Sequence, residues 1–557
     1  MSFPQKILVV AASIGVVCIT AFEMFRGALD IGLGLDTYEA SVLFEEGLQG
    51  TWDPQGLYGV APESIAFTKG NAFQLLAHVA NILRANEQWG DLALTAESFA
   101  VQNLLLVLLT FVTAGFTAII CFSLTDSRLF GLLGATSVLA IPLIVGHGIF
   151  NPKDVPASTG FTAFTAGLIV SLNYRFKFPA HQALGFLLIA FGTWLAVGTR
   201  FSLWPVFAAL VVAITGLAFS RFGAKSEERM IKGRAFEATI PFAAMLLGFA
   251  LVAITHPHYL PYWDEWLERS VTSATNHYWF GGATLTLGNL VYGTDLTWWY
   301  LPLWFFIATP ILLIPFILIG VLGMPATKPK YQARSRSSWL ASYGLLLTQA
   351  LVLPLTGIVL GSVFYNAQRQ HLYAFPALAC FATLGLYLGL QYARSKLTKA
   401  QGRWASTALL MLYLTALLIP TFERQALRPY QYTYLNEFSY VTGINGVWET
   451  DVMATSLREA ITRVPKSAPV RTIGPQDQLP VFAHLQGSSA GNGHFLDRDT
   501  IYEVRWTQGG NRLPESCRTV DNVLRDFRGQ KVVMTWVGIC GPNLESHQIT
   551  GKVHSGG

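Results

Sequence analysis

Charge is scarce in this chain. Asp, Glu, Lys and Arg together make up only 13% of its 557 residues, about half the share of an ordinary soluble domain. That scarcity argues against a fold kept in solution by a charged surface. The basic residues that exist fall in short separate clusters rather than one stripe, so nucleic acid is not an expected partner. Cysteine is scarce as well, five residues in all, and none stands in a Cys/His spacing that builds a metal site. There is no G-x-x-x-x-G-K-S/T phosphate loop, no G-x-G-x-x-G after a strand and no H-E-x-x-H. Nucleotide-driven transport and nicotinamide chemistry are left without support.

What is present instead is apolar sequence, 52% of the chain, gathered into blocks of roughly 18–25 residues, the length a helix needs to cross a bilayer. Inside hydrocarbon the backbone must satisfy its own hydrogen bonds, so these blocks read as helices of a polytopic membrane protein. Eleven spans are expected, near 6–25, 101–123, 128–147, 157–173, 182–199, 201–219, 236–256, 300–323, 339–362, 372–391 and 404–422. The first is too long for a signal peptide and lacks a small-x-small exit, so it reads as retained.

Lys and Arg mark one side. Arg175 and Lys177, the group Arg221 to Arg234, the group Lys328 to Arg336, and the group Arg394 to Arg403 occupy alternate connections, and the positive-inside rule makes that side cytoplasmic. The N-terminus is then cytoplasmic, while 26–100, 257–299 and the tail face outward. The tail, 423–557, has short β-rich runs such as "KVVMTWVGIC". It reads as a small extracytoplasmic α/β domain following a 1–422 transmembrane domain. Cys517 and Cys540 both lie in it, where a disulfide can persist; whether they are bridged is open at this stage.

Outward-facing charge is rare enough to inspect one residue at a time. "GLGLDTYEASVLFEEGLQG" follows the first span, with Asp36 and Glu39 on one face if helical. Asp36 suits an N-cap with Glu39 at the capping-box position, and a rigidly held carboxylate also suits a general base. "GHGIFNPKDVP" at 146–156 needs only Asn151 and its prolines to turn. Lys153 has a bland reading, snorkelling to lipid phosphates, whereas Asp154 and His147 are harder to explain at a membrane boundary unless they are used. Arg200 in "AVGTRFSLWP" and Arg369 in "YNAQRQHLYAFP" also stand at outward ends of spans, where lipid anchoring is the commoner role. Three isolated cations on a cation-poor face nevertheless make a shared anionic ligand worth proposing. Lys69 and His371 join the candidates. In the aromatic-dense stretch 256–299, an interfacial belt accounts for most rings, with Asn276, His277 and Trp279 as weaker sugar-contact candidates.

Taken in order along the chain, these stretches resemble the GT-C superfamily of membrane glycosyltransferases, in particular bacterial proteins similar to the protein O-mannosyltransferases of glycosyltransferase family 39. Asp36-Thr37-Tyr38-Glu39 is similar to the family's first-loop acidic motif, although many relatives have adjacent Asp-Glu. "GHGIFNPKDVP" looks like a G-H-x-x-F-N-P-K-D-x-P stretch of one subgroup. "TDLTWWYLPLWFFIATP" at 294–310 resembles the aromatic-rich start of a later span, and "LRPYQYTYLNEF" with "WETDVMATSLREA" the segments after the last one. The resemblance implies a sugar, mannose or a pentose such as arabinose, carried on a polyprenyl-phosphate donor in the lipid bilayer. The acceptor hydroxyl, on a protein, lipid or cell-wall glycan, approaches from outside. It implies Asp36 as general base for inverting attack, with Glu39 and Asp154 as further acids. Lys153, Arg200, Arg369 and Lys69 become candidates for the donor phosphate, and His147, Asn151, His371 and His277 for supporting contacts. Metal use varies in the superfamily, so a divalent cation is an open expectation. The rival reading, a transporter or flippase for lipid-linked sugars, predicts charged residues deep inside the spans.

Overall fold

The structure, a computed structural model, describes residues 3–49, 70–172, 179–220, 228–256, 263–275, 282–327, 336–466, 468, 470–473, 481–482, 501–510 and 512–540. The first span, α1 (Phe3–Asp30), leads through a short loop into α2 (Thr37–Gln49). Next come α3 (Ala72–Leu83) and α4 (Ala96–Thr125). The Thr95 hydroxyl starts α4 by accepting the Ser98 N–H, as an N-cap does.

The span expected at 128–147 is divided into α5 (Arg128–Ala140) and α6 (Pro142–His147). Pro142 supplies no N–H to the helical ladder and pushes Ile141 into extended backbone. The division turns α6 toward the "GHGIFNPKDVP" loop. Beyond that loop α7 (Asp154–Leu172) is buried on all sides, the innermost helix, and lies against α8 (Pro179–Val197). Gly192 permits that approach, because a Cβ there would overlap the Phe164 backbone of α7. Helices α9 (Trp204–Ser220), α10 (Glu228–Thr255) and α11 (Trp263–Thr275) follow. A small antiparallel hairpin, β1 (Ala283–Thr286) and β2 (Asn289–Tyr292), comes next.

A bend of 100° separates α12 (Tyr300–Ala308) from α13 (Ile314–Ala326). One π-helical turn joins α14 (Arg336–Leu347) to α15 (Leu353–Val359). Two long helices, α16 (Ala374–Lys396) and α17 (Lys399–Glu423), complete the bundle. Among the described residues seven helices are long and apolar enough to cross a membrane, or eight if the bent pair counts as one span. Of the other three expected spans, those near 128–147 and 201–219 are shorter apolar helices, and the one near 236–256 lies within α10, whose apolar part is Thr239–Thr255.

The tail carries α18 (Ser439–Thr442), α19 (Leu457–Thr462) and a four-stranded sheet. Strands β3 (Val470–Ile473), β4 (Ile501–Trp506), β5 (Cys517–Phe527) and β6 (Gln530–Cys540) lie in the order β3-β4-β6-β5. Cys517 and Cys540 face each other across β5 and β6 and form a disulfide.

Two apolar cores result. One fills the bundle. The other lies at one end of it, where Ile31, Phe150 and Trp304 share a cluster with Trp448, Val504 and Val537 of the tail. Inside the bundle, buried Arg424 pairs with Glu23 at 2.9 Å and also donates to the Leu139 carbonyl at 2.5 Å and to the Thr20 hydroxyl. Three bonded nitrogens are what a buried guanidinium requires. The pair joins α1 and α5 to the end of α17.

Candidate active site

Four separate loops bring the sequence candidates together. Asp36 sits at the N-cap position of α2, its carbonyl accepting the Ala40 N–H at 3.2 Å. Its carboxylate turns to the neighbouring loops. Oδ2 receives a hydrogen bond from Arg369 at 2.6 Å, and Oδ1 lies 3.2 Å from the Lys153 ammonium. Glu39, one turn into α2, reaches the same ammonium at 3.6 Å. Asp154, the first residue of α7, is buried, paired with Arg200 and 3.7 Å from Arg369. Arg369 therefore stands between the two aspartates. Three carboxylates and three cations form one continuous network at the ends of α1, α6, α8 and α15 that lie together.

The turn between α6 and α7 is built for this. The Asn151 side-chain oxygen accepts the backbone N–H of Lys153 at 3.2 Å and of Asp154 at 2.9 Å. Its amide nitrogen then donates to Asp154 Oδ2 at 2.8 Å and to His147 Nδ1 at 3.1 Å. Because Asn151 is the donor, His147 accepts on Nδ1 and carries its proton on Nε2. Asn151 is thus both turn-maker and aimer of the Asp154 carboxylate. The His147 ring packs between Phe150 and Tyr432. A Cβ on Gly146 would overlap the Tyr432 backbone, so only glycine lets the tail come so near this loop.

Arg369 is held from the other side. Asn366 and Ala367 both have positive φ, 55° and 61°, a conformation non-glycine residues rarely hold without outside support. The support is visible: the Asn366 N–H donates to Thr284 Oγ1 and the Ala367 N–H to Tyr300 Oη, each at 3.1 Å, and Gln508 of the tail donates to Asn366 Oδ1 at 2.6 Å. The guanidinium lies 5.3 Å from the Tyr365 ring centroid, a cation–π distance.

Electrostatics follow from these contacts. Burial works against the Lys153 charge, yet the Asp36 and Glu39 carboxylates outweigh it and hold the ammonium pKa above its ordinary value. His371 goes the other way. Burial, assisted by Arg200 and opposed by Asp154, pushes its pKa down to about 3, and its ring packs edge-on against Phe364 rather than joining the ion network. Among the described residues, the one His/Cys/Asp/Glu group with convergent ligand atoms is Glu503, Cys517 and Cys540, whose sulfurs are already bonded to each other. At the ion network a divalent cation between Asp36 and Asp154 would have to displace Arg369, so the residues as arranged do not fit one there.

Lys69, Asn276, His277 and Trp279 lie outside the described residues. Reading the sequence alone missed Tyr432 and Asp451. Asp451 is buried and accepts from Tyr432, from the Ser456 hydroxyl and N–H, and from the Thr455 N–H; burial pushes its pKa up. Both residues stand in the quoted stretches after the last span, but no local spacing announces a contact that far along the chain.

No family model matches the chain, and no curated protein matches it. Among solved structures, ArnT from Cupriavidus metallidurans is similar at 12% identity in two states. The apo state has a TM-score of 0.46, with 96% of this chain and 98% of that one covered. The state bound to undecaprenyl phosphate has a TM-score of 0.47, with 98% and 99% covered. The Archaeoglobus fulgidus oligosaccharyltransferase, in its apo form, is similar at 12% identity and a TM-score of 0.47, covering 83% of this chain and 58% of that one. These are likenesses at low identity, and what the site can do chemically is read from its own side chains.

Proposed function

We propose that the protein is a membrane glycosyltransferase that moves a sugar from a polyprenyl-phosphate donor to a hydroxyl of an extracytoplasmic acceptor, with inversion at the anomeric carbon. The observation that carries this reading is the convergence of Asp36, Lys153, Asp154, Arg200 and Arg369 from four loops at one end of the bundle. That end is the outward one by the Lys/Arg bias of the connections. The motif resemblance to GT-C enzymes supplies the substrate class: mannose or a pentose such as arabinose on the donor, and a protein, lipid or cell-wall glycan as acceptor.

The chemistry needs a base and a home for the leaving charge. Asp36 takes the proton of the acceptor hydroxyl as its oxygen bonds to the anomeric carbon. The bond from that carbon to the phosphate oxygen breaks, and polyprenyl phosphate leaves with the electron pair. Arg369, Lys153 and Arg200 stabilise the phosphate, since preorganised cations in a partly dry site act without further reorganisation. In the structure Arg369 and Lys153 are occupied by Asp36. A donor phosphate competes for those two cations and so releases the carboxylate to act as base. Donor binding therefore precedes acceptor activation.

The test is transfer of labelled sugar from a polyprenyl-phosphate donor by the purified full chain. Asp36→Asn should lower turnover by 100-fold or more, on the order of what a general base contributes. Equal transfer by the two proteins would remove Asp36 from the mechanism.

A further inference from the structure

The loop that bears Asp36 is bonded to residues more than four hundred positions away in the chain. The Gly32 N–H donates to the Thr455 carbonyl at 3.0 Å, and the Leu35 N–H to the Met453 carbonyl at 3.2 Å. Arg458, on α19, donates to the carbonyls of Leu29 at 2.5 Å and Ile31 at 3.0 Å. Its guanidinium lies 5.1 Å from the Phe482 ring centroid. The turn 452–456, with Ala454 at a positive φ of 57°, is itself fixed by Asp451, which gathers the Thr455 and Ser456 N–H groups and the Tyr432 hydroxyl.

The last carbonyls of a helix have no partner inside it, and a cation there is favoured both as donor and by the helix dipole. Arg458 meets that need at the end of α1. It does so five to seven residues before Asp36, on the only stretch linking α1 to the carboxylate. Leu29 lies within the helix and Ile31 beyond its last residue, Asp30, so holding both carbonyls fixes the direction in which the loop leaves the helix.

We propose that Arg458 is a positioning residue for the Asp36 loop, acting as a latch by which the tail sets the carboxylate against Arg369 and Lys153. The inference rests on the glycosyltransferase reading for its kinetic arm alone; the latch itself is a statement about backbone order. It assigns the tail a role in the reaction site that does not require the tail to touch substrate.

The experiment uses the full chain in lipid nanodiscs with Arg458→Met, which keeps an apolar stem over Phe482 and removes the donors, and Arg458→Lys, which restores a cation. Hydrogen exchange is followed for peptides covering 29–36, with those covering β5 and β6 as the control for folding. Labelled transfer from a polyprenyl-phosphate donor is measured alongside. The latch predicts that Arg458→Met speeds exchange at 31–35 at least fivefold with β5 and β6 unchanged. It also predicts a kcat lowered about tenfold, in keeping with the rate penalty of a misplaced reacting group, and a donor KM within twofold of wild type. Arg458→Lys should recover most of both. Unchanged exchange at 31–35 in Arg458→Met overturns the latch, as does a loss spread equally over kcat and KM. If Arg458→Met loses protection in β5 and β6, Arg458→Lys decides alone: near-normal exchange and kcat support the latch, and loss of either overturns it. Should wild type transfer no sugar, the exchange arm still decides the latch while the glycosyltransferase reading falls.

Discussion

At the scale of single residues, the proposed mechanism makes Asp36 a competitor of the donor as well as its partner in reaction. It contacts Arg369 at 2.6 Å and Lys153 at 3.2 Å, the two cations offered to the phosphate. Asp36→Asn should therefore bind undecaprenyl phosphate at least as tightly as wild type while losing turnover. Arg369→Ala should weaken that binding by tenfold or more, since charge-assisted guanidinium–phosphate bonds are among the stronger ones. Titration of the lipid against each purified variant checks both. The pH dependence follows with its sign. Lys153 has its pKa raised above the ordinary 10.5, so its contribution is complete below that value and is lost only as pH rises through the raised one. Donor affinity should stay level through the neutral and mildly alkaline range. His371, pushed down to about 3, stays neutral above that pH, so His371→Asn should leave the acid limb of the turnover profile where it is. An acid limb that moves in this variant would contradict the assignment.

At the scale of elements, the α6–loop–α7 turn shows what could and could not be read from sequence. Asn151, Pro152 and Pro156 announced a turn, and scarce charge singled out Lys153 and Asp154. The pairing of Lys153 with Asp36 and Glu39 could not be seen, because it joins loops more than a hundred residues apart. Neither could the second use of Asn151, whose amide aims Asp154 and fixes the His147 tautomer. Asn151→Leu keeps the volume and removes all four bonds. It should destabilise the chain by on the order of 2 kcal/mol, the scale of buried partners left unsatisfied, and lower transfer with it. Thermal unfolding in detergent measures the first effect. Helix lengths were legible only in part for a related reason. Apolar blocks marked the spans, but Pro142 and the bend before α13 divide two of them, and packing sets how far each break deflects the chain.

At the scale of the whole molecule, the tail and the bundle share one apolar core at the end that bears the candidate site. The tail is joined to the loops of Asp36, Asn151 and Asn366 by named contacts. A β-rich composition foretold a small sheet in the tail, but not that the tail would contact three loops of the site. The disulfide closes a separation of 23 residues between β5 and β6, and bridging a loop of that size stabilises by about 3 kcal/mol. Replacing both cysteines with serine should lower the unfolding temperature of the tail without abolishing transfer. A second anchor is Glu459. Burial opposes its charge, but Arg525 and Arg463 prevail and hold its pKa below the ordinary 4.5. Its contribution is present above 4.5 and is lost as pH falls through the lowered value, so acid should loosen this anchor while neutral and alkaline conditions leave it intact.

The central claim, that these loops form the donor-phosphate site around a catalytic carboxylate, is tested most directly by a structure of the full chain with undecaprenyl phosphate. The account predicts the phosphate within hydrogen-bonding distance of Arg369 and of Lys153 or Arg200, with the Asp36–Arg369 contact opened. A lipid phosphate seated elsewhere, with that contact still closed, would contradict it.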